Sequence, residues 1–270
     1  MLFKIEHDMT LFEAILKALH TKDATQKASL VLNAYTQFHA GNLLLEGVVT
    51  PPDYPARPDK PELLPATQMP KRSKGFKKKN ALLHAIAHIE LNAIDLACDM
   101  VTRYSSDDLP QEFYIDWLSV ANDEARHFNL LNTYLLNNQS FYGAYPAHNS
   151  LWDTAFETRH NLGARLAVVP MVLEARGLDV TPRMISEFQT QNDTQIVDIL
   201  SHIYKDEINH VYVGVKWFEY VTQQPIEKAT DLFHSYLKKY FRGRLIPPFN
   251  IPARDAALMP RDFYQEYSYV

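Results

Sequence analysis

The sequence predicts an all-α chain built around four long helices. Three observations carry this. Apolar residues recur with helical periodicity over long stretches, and no run alternates as a strand would. Glycine is scarce, at 8 of 270 residues. The prolines cluster, with the longest cluster between Pro51 and Pro70.

Taken in order, the pattern places an N-terminal helical pair at about Thr10–Leu19 and Asp23–Phe38. The proline-rich stretch Asn42–Arg72 follows as an irregular arm. Helix A runs over roughly Lys77–Tyr104, and helix B from the Pro110 start signal to near Asn137. Helix C is expected over Asp153–Arg176, opened by a capping box, Thr154 to Glu157, and stopped by Gly177. Pro182 opens a short helix, and helix D spans Asp193–Val221. A last helix, about Pro225–Phe241, precedes an irregular tail. The A–B connection is short, while Asn138–Trp152 is long enough to cross a bundle, as in ferritin-like four-helix bundles. The expectation is a single domain over 1–270: an extension and arm to 76, a di-metal bundle over 77–222, and a C-terminal helix and tail from 223.

Composition bounds the function. Hydrophobic residues make up 46% and charged residues 22%, enough for a sizeable core. A formal net charge of −5 gives no global attraction to nucleic acid or anionic membrane. Cys98 is the only cysteine, which excludes an internal disulfide and a thiolate-rich metal site. No uninterrupted apolar run reaches the ~18 residues of a membrane span, and the charged N-terminus lacks a signal peptide's apolar region. A soluble cytoplasmic protein is expected.

The chemistry lies in two stretches, NDEARH (Asn122–His127) and KDEINH (Lys205–His210). Residues three apart on a helix point the same way, so Glu124 with His127, and Glu207 with His210, each reach one point. Trp117, Val120, Phe128, Leu131 and Leu135 fall within about 40° of Glu124, and Leu200, Ile203, Val211, Gly214 and Phe218 surround Glu207 likewise. Both pairs thus sit in apolar stripes, where an unpaired carboxylate is costly. No lysine or arginine lies on either stripe nearby, so a metal is the natural counter-charge.

Helix A supplies Glu90, on a face with Leu83, Ile86, Ala97 and Val101. Helix C supplies Glu174, on a face with Phe156, Gly163 and Ala167. Glu90 precedes Glu124 by 34 residues, and Glu174 precedes Glu207 by 33. One Glu from each of two helices and Glu-x-x-His from the other two is the pattern of carboxylate-bridged di-metal sites. Four carboxylates balance two divalent ions. Oxygen and nitrogen donors without thiolate suit two Fe ions, and equally Mn or a mixed Fe/Mn pair.

Asp123 and Asp206 are candidates to hold the second imidazole N–H of a ligand histidine, against ordinary local pairing as the alternative. His84 and His88 point about 120–160° away from Glu90. His88 is kept as a candidate contact beyond the ligands, against satisfied polar packing. Tyr204, three residues before Glu207, is the candidate catalytic phenol, against core packing, and Trp117 is weighed the same way. The third Glu-x-x-His, Glu157–His160, is set aside because its Glu is taken as a cap and its His lies 14 residues before Glu174. Pro170 should kink helix C beside Glu174. The run Lys71–Lys79 (KRSKGFKKK) is read as a solvated loop, with RNA phosphates or an acidic partner as the alternative.

The stretches AHIELNAIDLACD, NDEARHFNLL, EARGLDVTP, DEINHVYVGVKWF and PPFNIPARDAALMPRDFY resemble a bacterial ferritin-like family known as domain of unknown function 455. The resemblance covers nearly the whole chain. It is similar in ligand pattern to the di-iron tRNA hydroxylase and, more distantly, to rubrerythrins and ribonucleotide reductase small subunits. It implies a di-iron ferritin-like fold with Glu90, Glu124, His127, Glu174, Glu207 and His210 as ligands, and no particular substrate. The expected activity is O2-dependent hydroxylation or oxidation of a small molecule or of tRNA, with electrons from a separate reductase. Ferroxidase or peroxide-scavenging activity, and a metal-stabilised interaction module without catalysis, are the alternatives.

Overall fold

The computed structural model describes residues 9–70, 76–265 and 267. The chain is all-helical, and among the described residues the only β pairing is two isolated bridges, Thr10 with Leu44 and Leu63 with Ala147. It divides into two compact units, Met1–His148 and Asn149–Val270.

The first unit holds α1 (Leu11–Leu19), α2 (Ala24–His39), α3 (Phe76–Arg103) and α4 (Gln111–Asn137). Local chemistry starts the first two. Thr10 Oγ1 accepts the Glu13 N–H and Glu13 Oε2 accepts the Thr10 N–H, a complete capping box, while Asp23 Oδ1 accepts the Gln26 N–H at 2.7 Å. Thr10→Ala is expected to cost about 1 kcal/mol in a chemical denaturation titration, and an unchanged midpoint would show the cap idle. α3 and α4 pack directly on each other, as their short connection requires. Every apolar residue predicted to share a face with Glu90 or Glu124 is buried.

Among its described residues, the arm between α2 and α3 has one helical element, a 3-10 turn at Ala66–Gln68, and it is fastened to α3. The Arg57 Nε lies 2.8 Å from Asp95 Oδ2, and its Nη2 donates to Asn92 Oδ1 at 2.9 Å. The fully buried Lys27 of α2 pairs with the other oxygen of Asp95 and donates to the Ala56 carbonyl. Within Lys78–Arg103, α3 holds an 18-residue window apolar enough to cross a membrane, but 78% of that window is buried inside the protein, which makes it a core helix.

The second unit holds α5 (Ser150–Thr158), α6 (Leu162–Val168), a π turn (Val169–Glu174), α7 (Ala175–Thr190), α8 (Thr194–Thr222), α9 (Thr230–Tyr240), α10 (Ile251–Ala256) and α11 (Arg261–Tyr264). Here several expectations need correction. Helix C is not one helix from Asp153 to Arg176. It begins at Ser150, because burying Trp152 beside Ala155 draws an extra turn in, and Thr154 sits inside that turn with its hydroxyl donating to the Ser150 carbonyl. The Thr154–Glu157 capping box does not form. The helix then breaks at 159–161. Asn161 caps a fresh start by accepting the Ala164 N–H at 2.8 Å, and the buried Arg165 turns back to the Ala155 carbonyl and the Thr158 hydroxyl.

Gly177 does not stop the helix, and Pro182 does not open one; both lie within α7. A proline inside a helix strands the carbonyl four residues earlier. That carbonyl, of Leu178, accepts instead from Asn250 Nδ2 at 2.9 Å, so the tail supplies the donor that Pro182 lacks. At Pro170, where a kink is expected, the chain forms the π turn. The helix expected over Pro225–Phe241 is a 3-10 turn at Ile226–Lys228 followed by α9.

Candidate functional site: two carboxylate–histidine sets

In the first unit, one turn of α4 presents Glu124 and His127 toward Glu90 of α3. All three are buried, at 0%, 0% and 4% exposure. His127 Nδ1 lies 3.3 Å from Glu90 Oε2 and 3.3 Å from Glu124 Oε2. One donor atom from each residue falls within 4.8 Å of the others. Burial first, and the neighbouring Glu124 carboxylate second, push the Glu90 carboxyl well above its ordinary range, and His127 only partly offsets this. Two carboxylates and one imidazole in a dry space gain from a cation between them. A first-row divalent ion takes such donors at about 2.0–2.2 Å, so only a small contraction of the trio is needed. The donor set therefore fits a metal without thiolate chemistry, and does not choose among Fe, Mn and other divalent ions.

In the second unit the same residue types recur at the same spacing. Glu207 and His210 share the buried stripe of α8, with His210 Nδ1 3.6 Å from Glu207 Oε2. Glu174 closes the π turn that packs against α8. Of the six residues read as ligands, Glu90 lies on α3, Glu124 and His127 on α4, Glu207 and His210 on α8, and Glu174 at the end of the π turn rather than on one continuous helix C.

The other singled-out residues have definite partners. Asp123 pairs with Arg126 at 2.8 Å, and Asp206 lies 3.4 Å from His202 Nε2; both contacts are local, within one turn. His88 offers Nε2 to the His148 carbonyl at 3.2 Å, which leaves Nδ1 to accept the Tyr142 hydroxyl at 2.8 Å. His84 accepts the Gly143 N–H through Nε2 at 2.9 Å and stacks on Tyr142. Burial holds both histidines neutral: His84 is lowered to about 4, and His88 to about 3 with the Arg57 charge adding to the desolvation. Trp117 is core, with its ring edge toward Phe113. Glu157 and His160 are both exposed, so setting them aside stands on exposure rather than on a cap. In the basic run, Lys71–Gly75 lie outside the described residues.

Tyr204 is half-buried, and its phenol oxygen accepts a hydrogen bond from Asn250 Nδ2 at 2.8 Å. Asn250 Oδ1 takes the Ala253 N–H, so the amide orientation follows from its own network. The tail is further clamped by Arg254. Its guanidinium makes a two-pronged pair with Asp179, at 3.0 and 2.8 Å, and donates to the Ala175 carbonyl next to Glu174. Sequence reasoning missed this anchor, although Asn250 and Arg254 stand in the stretch PPFNIPARD. The signal was a polar pair amid prolines, without periodicity to point at its targets.

A family model described as "Protein of unknown function (DUF455)" matches residues 20–265. An "Uncharacterized protein" of Haemophilus influenzae is 36% identical over 241 residues, covering 84% of each chain. No solved structure matches the chain.

Proposed function

We propose that this chain, which belongs to the family Protein of unknown function (DUF455), is a di-iron carboxylate protein of the ferritin-like kind that uses O2 to hydroxylate or oxidise an organic substrate. The observation that supports this most is the buried convergence of Glu90, Glu124 and His127. The matching Glu174, Glu207 and His210 set in the second unit doubles it. In this reading the six residues supply the ligands for two metal ions, Fe in the lead assignment. The bound metals supply O2 activation. The chain's own residues do the rest. Four carboxylates neutralise two divalent charges in a dry interior, and two imidazoles complete the donor set without adding charge. Tyr204, whose oxygen already accepts from Asn250, keeps its O–H to donate, as a positioned proton donor requires. Electrons come from a separate reductase. The substrate is a small molecule, or a tRNA engaged through the basic run Lys71–Lys79, whose last four residues open α3. The site of action is the cytoplasm.

The test begins with anaerobic loading by Fe(II). Wild type is expected to bind about two irons per chain, and Glu124→Ala and Glu207→Ala each about one or fewer. Unchanged occupancy in both variants would sink the ligand assignment. Rapid mixing of the loaded protein with O2 is then expected to consume O2 and oxidise iron faster than free Fe(II). No acceleration would overturn the enzymatic reading and leave a metal-stabilised interaction module. Fast oxidation that releases ferric iron without reductant-driven turnover would assign ferroxidase instead.

A further inference from the structure

We propose that the contact between Pro170 and Gly214 is the positioning device that turns Glu174 toward His210 and Glu207. This rests on the di-metal reading above. α7 and α8 are joined by a short turn, residues 191–193, and therefore run antiparallel as a helical hairpin. The π turn lies on the same limb as α7 and packs on α8. There Pro170 is pressed against Gly214 so closely that a Cβ on residue 214 would stand 2.7 Å from both Cβ and Cγ of the proline. Real side chains do not approach so far, so the contact exists only because residue 214 has no side chain.

Antiparallel geometry turns this contact into a register. One helical turn from Pro170 toward the hairpin turn is Glu174. One turn from Gly214 toward the same hairpin turn is His210, with Glu207 a turn beyond. Seating Pro170 on Gly214 therefore sets Glu174 level with the histidine of the Glu-x-x-His pair. The π turn matters to the same end. Pro170 has no N–H to return to the preceding turn, and the segment accommodates this with one residue more than an α turn. Removing that extra residue would rotate Glu174 by about 100° relative to α6. Gly214 gives the widened turn the room to lie flat on α8.

Four variants test this: Gly214→Ala, Pro170→Ala, Glu174→Ala and Gly177→Ala. Each is loaded anaerobically with Fe(II) for a metal count, and with Co(II) for the visible d–d absorption that reports coordination number. Thermal midpoints are recorded alongside. Glu174→Ala is expected to lower bound iron from about two to about one per chain and to change the Co(II) band. Gly214→Ala and Pro170→Ala are expected to reproduce both changes while remaining helical by circular dichroism. Gly177→Ala keeps both metals, since a Cβ there meets nothing within 4 Å. A contact that served packing alone would lower the midpoint and leave two metals with an unaltered Co(II) spectrum. That result in Gly214→Ala and Pro170→Ala, with Glu174→Ala losing a metal, overturns this inference and leaves the metal centre standing. Two metals retained in Glu174→Ala would overturn the ligand role of Glu174 and the six-ligand assignment with it. If Gly214→Ala does not fold, Pro170→Ala carries the test, because it adds no heavy atom.

Discussion

Asp95→Ala is expected to destabilise the protein by about 3–5 kcal/mol, measured as a fall in the denaturant midpoint at constant slope. Asp95 is fully buried and sits between two cations, Lys27 from α2 and Arg57 from the arm. Removing the carboxylate leaves the Lys27 ammonium, itself 1% exposed, without its counter-charge and donating to the Ala56 carbonyl. A buried charge without its counter-charge is among the costliest single defects a core can carry. The cost lies in the unpaired charge and not in the lost pair. A triple change of Lys27, Arg57 and Asp95 to apolar residues of similar volume is therefore expected to recover most of the loss. A single variant within about 0.5 kcal/mol of wild type would show that water reaches the cluster or that the arm simply lets go.

Acid is expected to weaken the first unit well above the usual carboxylate range. His84 is held neutral with a value near 4, and His88 near 3, against 6.5 for an unburied imidazole. The sign follows from proton counting. Between pH 6.5 and 4 the unfolded chain binds protons at these two positions and the folded chain does not, so stability is complete above 6.5 and falls as pH drops. Between pH 7 and 5 each histidine contributes a loss of about 2 kcal/mol. The measurement is the unfolding free energy at both pH values for wild type and for His84→Gln, which keeps an acceptor for the Gly143 N–H. The variant should lose about 2 kcal/mol less across the interval. Equal losses would mean that His84 protonates in the folded state by a local opening.

Much of this was legible from residue order because period and burial agree on long helices. The stripe of Trp117, Val120, Phe128, Leu131 and Leu135 needed only an α-helical repeat to place Glu124 and His127 in the interior. α3, α4 and α8 begin and end within about two residues of expectation for that reason. The segment from 150 to 190 resisted, and each failure has a specific cause. Three groups override its signals: Trp152 by burial, Arg165 by capping α5 from α6, and the distant Asn250 by answering the carbonyl that Pro182 strands. Gly177 reads as a stop, yet Arg254 and Asn250 of the tail bind the Ala175 and Leu178 carbonyls on either side of it. Long-range donors such as Asn250, 72 residues from Leu178, leave no mark in a window of neighbouring residues. The Asp95 cluster was hidden in the same way, since its lysine lies 68 residues earlier and its arginine in an arm without periodicity.

That separation also bears on time. α3 and α4 meet through a short connection and can pair early, whereas Lys27 and Arg57 reach Asp95 only after long loops have closed. Interactions formed after the rate-limiting barrier govern how fast a protein comes apart rather than how fast it assembles. The arm, which looks like connecting chain, would then act as a latch on the lifetime of the folded state. Loss of Asp95 should steepen escape from that state by several orders of magnitude, while leaving the speed of collapse nearly untouched.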